Sequence, residues 1–135
     1  MARLRIVVAD DSQRFCQKII SLLAVAFDVV GTAADGKSAL EVVHRTKPDV
    51  VVLDLGMPML NGIEVTRELA KHSPAVVICS VETDPEIVDA ARRAGALSYV
   101  SKRRVAKDLM LAIKSTLEGD SFLSPELHRP VHPHH

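Results

Sequence analysis

Four apolar runs in this chain end on side chains that can handle charge. Leu4-Arg5-Ile6-Val7-Val8-Ala9 ends on two carboxylates, Asp10 and Asp11, and Val50-Val51-Val52-Leu53 ends on a third, Asp54. Ala75-Val76-Val77-Ile78-Cys79 ends on the hydroxyl of Ser80, and Ala96-Leu97-Ser98-Tyr99-Val100-Ser101 ends on the ammonium of Lys102. If the runs are parallel strands of one sheet, these groups meet in the crevice at the strands' carboxyl ends, where open α/β sheets bind ligands. Three carboxylates drawn together repel by about 1–4 kcal/mol per close pair at surface-like dielectric, so the cluster calls for a cation. An all-oxygen site with few protein ligands suits Mg²⁺, which keeps several of its waters. Phosphoryl transfer to a carboxylate needs a nucleophilic oxygen, a metal to screen the incoming charge, and a cation or hydroxyl for the transferred oxygens. The strand ends supply the oxygen, the carboxylates that would hold the metal, and both a cation and a hydroxyl.

Each residue also has a plainer reading. Asp10 and Asp11 could cap the first helix beside Ser12. Ser80 could be a turn residue, and Lys102, at the head of Lys102-Arg103-Arg104, a solvated charge. Asp54, at the end of a wholly apolar run, must find partners or stay in water. What favours chemistry is their joint occurrence at four strand ends.

The elements between the runs carry helical periodicity, which predicts βαβ units and a parallel sheet. Ser12 caps a first helix with Phe15, Ile19, Leu22 and Leu23 on its apolar face. Asp35-Gly36 opens a second, which must stop near Lys47 because Pro48 disfavours helix before it. Asn61-Gly62 opens a third, Asp84-Pro85-Glu86 a fourth that Gly95 ends, and Ala106 to Glu118 forms a fifth. The expected fold is a single doubly wound α/β domain: a five-stranded parallel sheet in the flavodoxin-like order 2-1-3-4-5, with five helices. The domain is expected to span residues 1–120, with 121–135 a linker and disordered tail. Four histidines fall within the last eight residues, but prolines and the terminal position favour a solvated tail or cloning remnant over a metal site.

Composition narrows the function. The 135 residues are 47% hydrophobic, enough for one core, and seventeen basic side chains balance seventeen acidic ones. A net charge of zero gives no global attraction to nucleic acid or an anionic membrane. Neither a secretory signal nor a membrane span is read, and Cys16 and Cys79, each inside an apolar periodic run, read as reduced buried thiols of a cytoplasmic protein.

From Leu4 to about Gly119 the chain resembles the receiver domain of two-component response regulators. The resemblance rests on Asp10-Asp11, on Asp54-Leu55-Gly56-Met57-Pro58 followed by Asn61-Gly62, on Ser80, on Gly95-Ala96 before Tyr99, and on Lys102. It implies that Asp54 accepts a phosphoryl group from a phosphohistidine on a sensor histidine kinase, or from a small acyl phosphate. Asp11, with Asp10 acting through water, would hold Mg²⁺ together with Asp54 and the backbone carbonyl of Gly56. Lys102 would pair with the phosphoryl oxygens, Ser80 would move toward them, and Tyr99, on the edge strand, would swing inward behind Ser80 to change the surface around the fourth helix, fifth strand and fifth helix. Such a domain is no enzyme beyond assisting its own phosphorylation and slow dephosphorylation.

The stretch Phe122-Leu123-Ser124-Pro125-Glu126-Leu127 is similar to the junction in LuxR-type (NarL/FixJ-like) regulators, where a helix-turn-helix DNA-binding domain follows. The reading is therefore a receiver whose output is transcription through a domain outside this stretch; the alternative is a stand-alone or degenerate receiver serving as a protein-interaction module. Arg103 stands where many receivers have proline, so no cis peptide is expected there. Val81 is branched where many are smaller, and by restricting the attacking water it is expected to slow loss of the phosphoryl group. A homodimer could pair Arg92, Arg93, Arg103, Arg104 and Lys107 with Asp89 and Asp108 across the fourth and fifth helices, although a solvated mixed-charge face explains them equally. A phosphatase with an aspartyl-phosphate intermediate would want a second acid two residues after Asp54, where Gly56 stands. A nucleotide-binding module would want a glycine-rich turn after the first strand, where Asp10-Asp11-Ser12 would repel a pyrophosphate.

Overall fold

A computed structural model describes residues 3–57, 61–72 and 74–127. Pro58 and the four C-terminal histidines lie outside the described residues. The strands are β1 (Arg5–Ala9), β2 (Asp28–Ala33), β3 (Val50–Leu53), β4 (Ala75–Ser80), β5 (Ser98–Ser101) and β6 (Phe122–Leu123). The helices are α1 (Gln13–Leu23), α2 (Gly36–Thr46), α3 (Gly62–Lys71), α4 (Pro85–Ala94) and α5 (Val105–Leu117). All pairings are parallel, in the order β2-β1-β3-β4-β5-β6.

The caps fall where residue types predict. Ser12, Asp35, Asn61 and Asp84 each accept a backbone N–H of the helix they open, and Pro85 occupies the first turn of α4, where its missing N–H costs nothing. Lys47 ends α2 in the left-handed region at φ 49°. Gly95 ends α4 at φ +124°, and a Cβ there would meet the Ala70 Cβ at 2.5 Å, so glycine alone suits both backbone and packing.

The central strands are apolar on both faces because helices cover both. On one side α1 and α5 bury Cys16, Ile19, Leu23, Leu109 and Ile113 against Ile6, Val8 and Val52. On the other, α2, α3 and α4 bury Val43, Leu69 and Val88 against Val7, Val51 and Ile78. This is the doubly wound arrangement, and near-continuous apolar strands are its signature. Cys16 and Cys79 are free and buried.

Two expectations need correction. The sheet has six strands rather than five, because Ser98 pairs with Phe122 and Tyr99 with Leu123. The stretch 121–127, expected as unstructured linker, accordingly packs on the domain: Ser124 is fully buried and Leu127 nearly so. Its two-residue strand is too short for alternation to reveal, and the buried Ser124 bonds to the β5 backbone and to the Asp108 side chain of α5. β5 is thus internal, and Tyr99, expected on an edge, is fully buried. Among the described residues no helix is long and apolar enough to cross a membrane.

Candidate functional site

β1 and β3 are neighbours in register, Ala9 opposite Leu53, so the residue that follows each emerges at the same level. The Asp54 N–H donates to the Ala9 carbonyl at 2.9 Å and the Asp10 N–H to the Ala33 carbonyl at 2.9 Å, extending the ladder one residue into the crevice. Carboxylate oxygens of Asp10, Asp11 and Asp54 lie within 4.8 Å of one another; Asp10 and Asp54 are buried and Asp11 is exposed. Lys102 enters from the end of β5, with Nζ 2.8 Å from Asp10 Oδ2 and 3.3 Å from Asp54 Oδ2. One ammonium thus sits between two of the three acids.

The second oxygen of each buried acid is held by the backbone. Asp10 Oδ1 accepts the Ser12 N–H at 2.8 Å, and Asp54 Oδ1 accepts the Gly56 N–H at 3.1 Å. Gly62 matters to this turn, because a Cβ there would approach the Leu55 carbonyl oxygen to 2.5 Å; its absence lets α3 close against the loop that follows Asp54. The electrostatics agree with the crowding. Burial raises the Asp10 carboxyl above its usual range, and the Asp54 charge adds to this against the lowering by Lys102 and the Ser12 N–H. Burial pulls Lys102 down, but Asp10 and Asp54 outweigh it, so the ammonium is held above its ordinary value.

A cation fits this donor set on a specific ground. Asp10 Oδ2 is buried, and its counter-charge is the Lys102 ammonium at 2.8 Å, which it shares with Asp54. One ammonium against three carboxylates whose oxygens lie within 4.8 Å of one another leaves negative charge uncompensated in a partly buried crevice. A hard, oxygen-liganded cation would compensate it.

Ser80 and Tyr99 meet at Glu82 rather than at the acids. The Glu82 N–H donates to Ser80 Oγ at 3.1 Å, and the Tyr99 hydroxyl donates to the Glu82 carbonyl at 2.8 Å. Burial raises the Tyr99 phenol far above its ordinary value. Val81, next to Ser80, is exposed and lines a cleft of about 380 Å³ with Gly56, Met57, Asn61 and Glu82.

Two contacts escaped the sequence reading. Lys102 Nζ lies 4.4 Å from the centre of the Phe15 ring, which gives the ammonium an aromatic wall; Phe15 has ordinary core spacing, and nothing in the pattern sets it apart. Ser101 and Ser124, joined from the Ser101 N–H to Ser124 Oγ at 3.0 Å, tie the end of β5 to the C-terminal segment. The proposed cross-dimer role of Arg104 and Asp108 is corrected: Arg104, in the turn just before α5, donates through Nε to Asp108 Oδ2 at 2.8 Å in the first turn of that helix, and Asp108 is buried, so this carboxylate is spent inside the domain. Burial also pushes the Cys79 thiol up to about 12, leaving it a poor nucleophile.

Known proteins share this sequence pattern and fold. A family model described as the response regulator receiver domain matches residues 6–114. The transcriptional regulatory protein DegU of Brevibacillus brevis is 33% identical over 129 residues, covering 93% of this chain and 55% of DegU. The response regulator protein VraR of Staphylococcus epidermidis is 34% identical over 129 residues, covering 92% of this chain and 61% of VraR. The chain therefore spans little more than half the length of these relatives. Among solved structures, a two-component response regulator of the LuxR family from Aurantimonas sp. SI85-9A1 superposes with TM-score 0.87 at 30% identity, covering 93% of each chain. The signal receiver domain of NarL from Mycobacterium tuberculosis superposes with TM-score 0.83 at 29% identity, covering 88% of this chain and 99% of that one. With the acid cluster, the bridging lysine and the sheet order already in place, these matches show that the chain belongs to the response regulator receiver domain family.

Proposed function

We propose that Asp54 is the phosphoryl acceptor of this receiver and that its donor is a phosphohistidine on a sensor histidine kinase. What supports the reading is Lys102, whose ammonium reaches Asp54 Oδ2 at 3.3 Å while paired with Asp10 at 2.8 Å. An Asp54 oxygen attacks phosphorus as the bond to the histidine nitrogen breaks, and the imidazole keeps the electron pair. Lys102 neutralises the negative charge that gathers on the phosphoryl oxygens, and the Phe15 ring on its flank limits where the ammonium can go. Ser80 leaves the Glu82 N–H to donate to one of those oxygens, which loosens the turn that Tyr99 also holds. Asp10, Asp11, Asp54 and the carbonyl of Gly56 would hold Mg²⁺, which supplies charge screening for an anionic group approaching an acidic crevice.

The output is transcription through a DNA-binding domain that follows the receiver, as the word transcriptional in the name of DegU suggests for this group. The domain works in the cytoplasm, where kinase and DNA are both at hand, and has no enzymatic role beyond its own loading and slow unloading. Incubation with acetyl phosphate and Mg²⁺ followed by intact-protein mass measurement tests the core of this reading. One phosphoryl group should add, and it should be absent in Asp54→Asn and in EDTA. An adduct that persists in Asp54→Asn would remove Asp54 from the role.

A further inference from the structure

The segment after α5 is bound to the domain by a compact polar lock. Ser124 Oγ accepts the Ser101 N–H at 3.0 Å and donates to Asp108 Oδ2 at 2.8 Å, while the Ser124 N–H donates to the Tyr99 carbonyl at 3.1 Å. Ser101, Asp108 and Ser124 are all buried, and Arg104 clamps Asp108 from outside at 2.8 Å. Three residues later Leu127 is buried in the same apolar cluster as Tyr99 and Val88. A surface linker would show little of this.

The lock stands one residue from the chemistry. Ser101 precedes Lys102, and Ser101 Oγ accepts the Arg103 N–H at 3.3 Å, opening the 3₁₀ turn from which the lysine projects. The backbone that aims Lys102 at Asp54 is thus fixed at Ser101 from two sides, and one of them belongs to the segment after α5. Without Ser124 the Ser101 N–H would be a buried donor with no acceptor, a condition that backbone avoids by moving. Displacement of about 1 Å in a charge-positioning group is enough to matter greatly to a reaction.

We propose that Ser124 is a positioning residue for Lys102, so that docking of residues 122–127 and loading of Asp54 reinforce each other. The proposal rests on Asp54 as the acceptor and extends it: the same lysine that senses the phosphoryl group tightens the chain leading out of the domain. Coupling of this kind is reciprocal in binding free energy, so each event must favour the other by one factor.

The test uses the full chain with beryllofluoride as phosphoryl mimic at saturating Mg²⁺. Ser124→Ala should bind the mimic about 5-fold or more weakly by ¹⁹F NMR, the lower end of typical coupling, with Mg²⁺ affinity by calorimetry within about twofold of wild type. Leu127→Ala, which loosens the segment without touching Ser101, should do the same. In wild type the mimic should slow amide exchange across 122–127 by a similar factor, and Ser124→Ala should abolish that slowing. Mimic binding at wild-type strength in both variants, or exchange at 122–127 indifferent to the mimic, overturns the coupling. So does a parallel loss of Mg²⁺ affinity, which marks general damage to the fold. If wild type takes neither the mimic nor acetyl phosphate, it is the reading of Asp54 that fails, and the coupling falls with it.

Discussion

The Tyr99 hydroxyl donates to the Glu82 carbonyl at 2.8 Å, across the gap between β5 and the turn after β4. That bond joins a fully buried ring to the loop whose N–H occupies Ser80 Oγ. Tyr99→Phe keeps the ring and removes only the bond, so the variant should lose about 1 kcal/mol in urea unfolding with an unchanged slope. An unaltered midpoint would mean that water serves the Glu82 carbonyl equally well.

Asp10 makes the apo domain sensitive to pH in the direction opposite to that of a carboxylate whose ion pairs and hydrogen bonds hold it ionised. Its value is raised, chiefly by burial, so its contribution to stability is complete below the ordinary 3.8 and is lost as pH climbs through the folded value. At neutral pH the ionised group is a net cost. Asp10→Asn should therefore melt above wild type in EDTA at pH 7.5, and the gap should narrow on acidification as wild type takes up its proton. The same variant should bind Mg²⁺ less well. A gap that widens on acidification would contradict the burial argument.

Asp108 is a buried carboxylate held by Arg104 and Ser124. Asp108→Ala leaves the Ser124 hydroxyl without its acceptor and breaks the lock on the C-terminal segment. The expected cost is about 2–3 kcal/mol in chemical denaturation, in the range for hydrogen bonds to a charged group. A loss under about 0.5 kcal/mol would show that the segment is held by Leu127 and β6 pairing alone.

Val81 stands exposed beside Ser80 at the mouth of the cleft that leads toward Gly56. Val81→Ala opens the path for water, so the aspartyl phosphate should hydrolyse roughly 2- to 5-fold faster, about 0.4–1 kcal/mol off the barrier. The decay of the phosphorylated mass peak after removal of acetyl phosphate measures this, and an unchanged decay would dismiss Val81 as a shield.

The sequence made the site more legible than its surroundings. Asp10, Asp11, Asp54 and Lys102 could be placed because strand ends follow from apolar runs, and parallel strands bring like ends together. The helix caps were equally plain, since Ser12, Asp35, Asn61 and Asp84 each carry a local mechanism. What stayed hidden depended on contacts between distant residues. β6 is two residues long and carries no period of its own, so only its pairing with Ser98 and Tyr99 reveals it. Phe15 looked like core and is also a wall for Lys102. Asp108 looked like one more surface charge on a mixed-charge helix until Ser124, sixteen residues on, was seen to bury it.

The acids and the base of the crevice arrive at different times during synthesis. Asp10, Asp11 and Asp54 have all been made one residue after Leu53 completes β3, whereas Lys102 follows Asp54 by 48 residues. At about 5–20 residues per second the ribosome takes roughly 2–10 s to supply it. Through that interval a nascent chain that pairs β1 with β3 gathers three carboxylates and no partner for them. Protons or free Mg²⁺ must carry the neutralisation until β5 docks, which makes the ionic conditions at the ribosome a factor in how early the first half of this sheet closes.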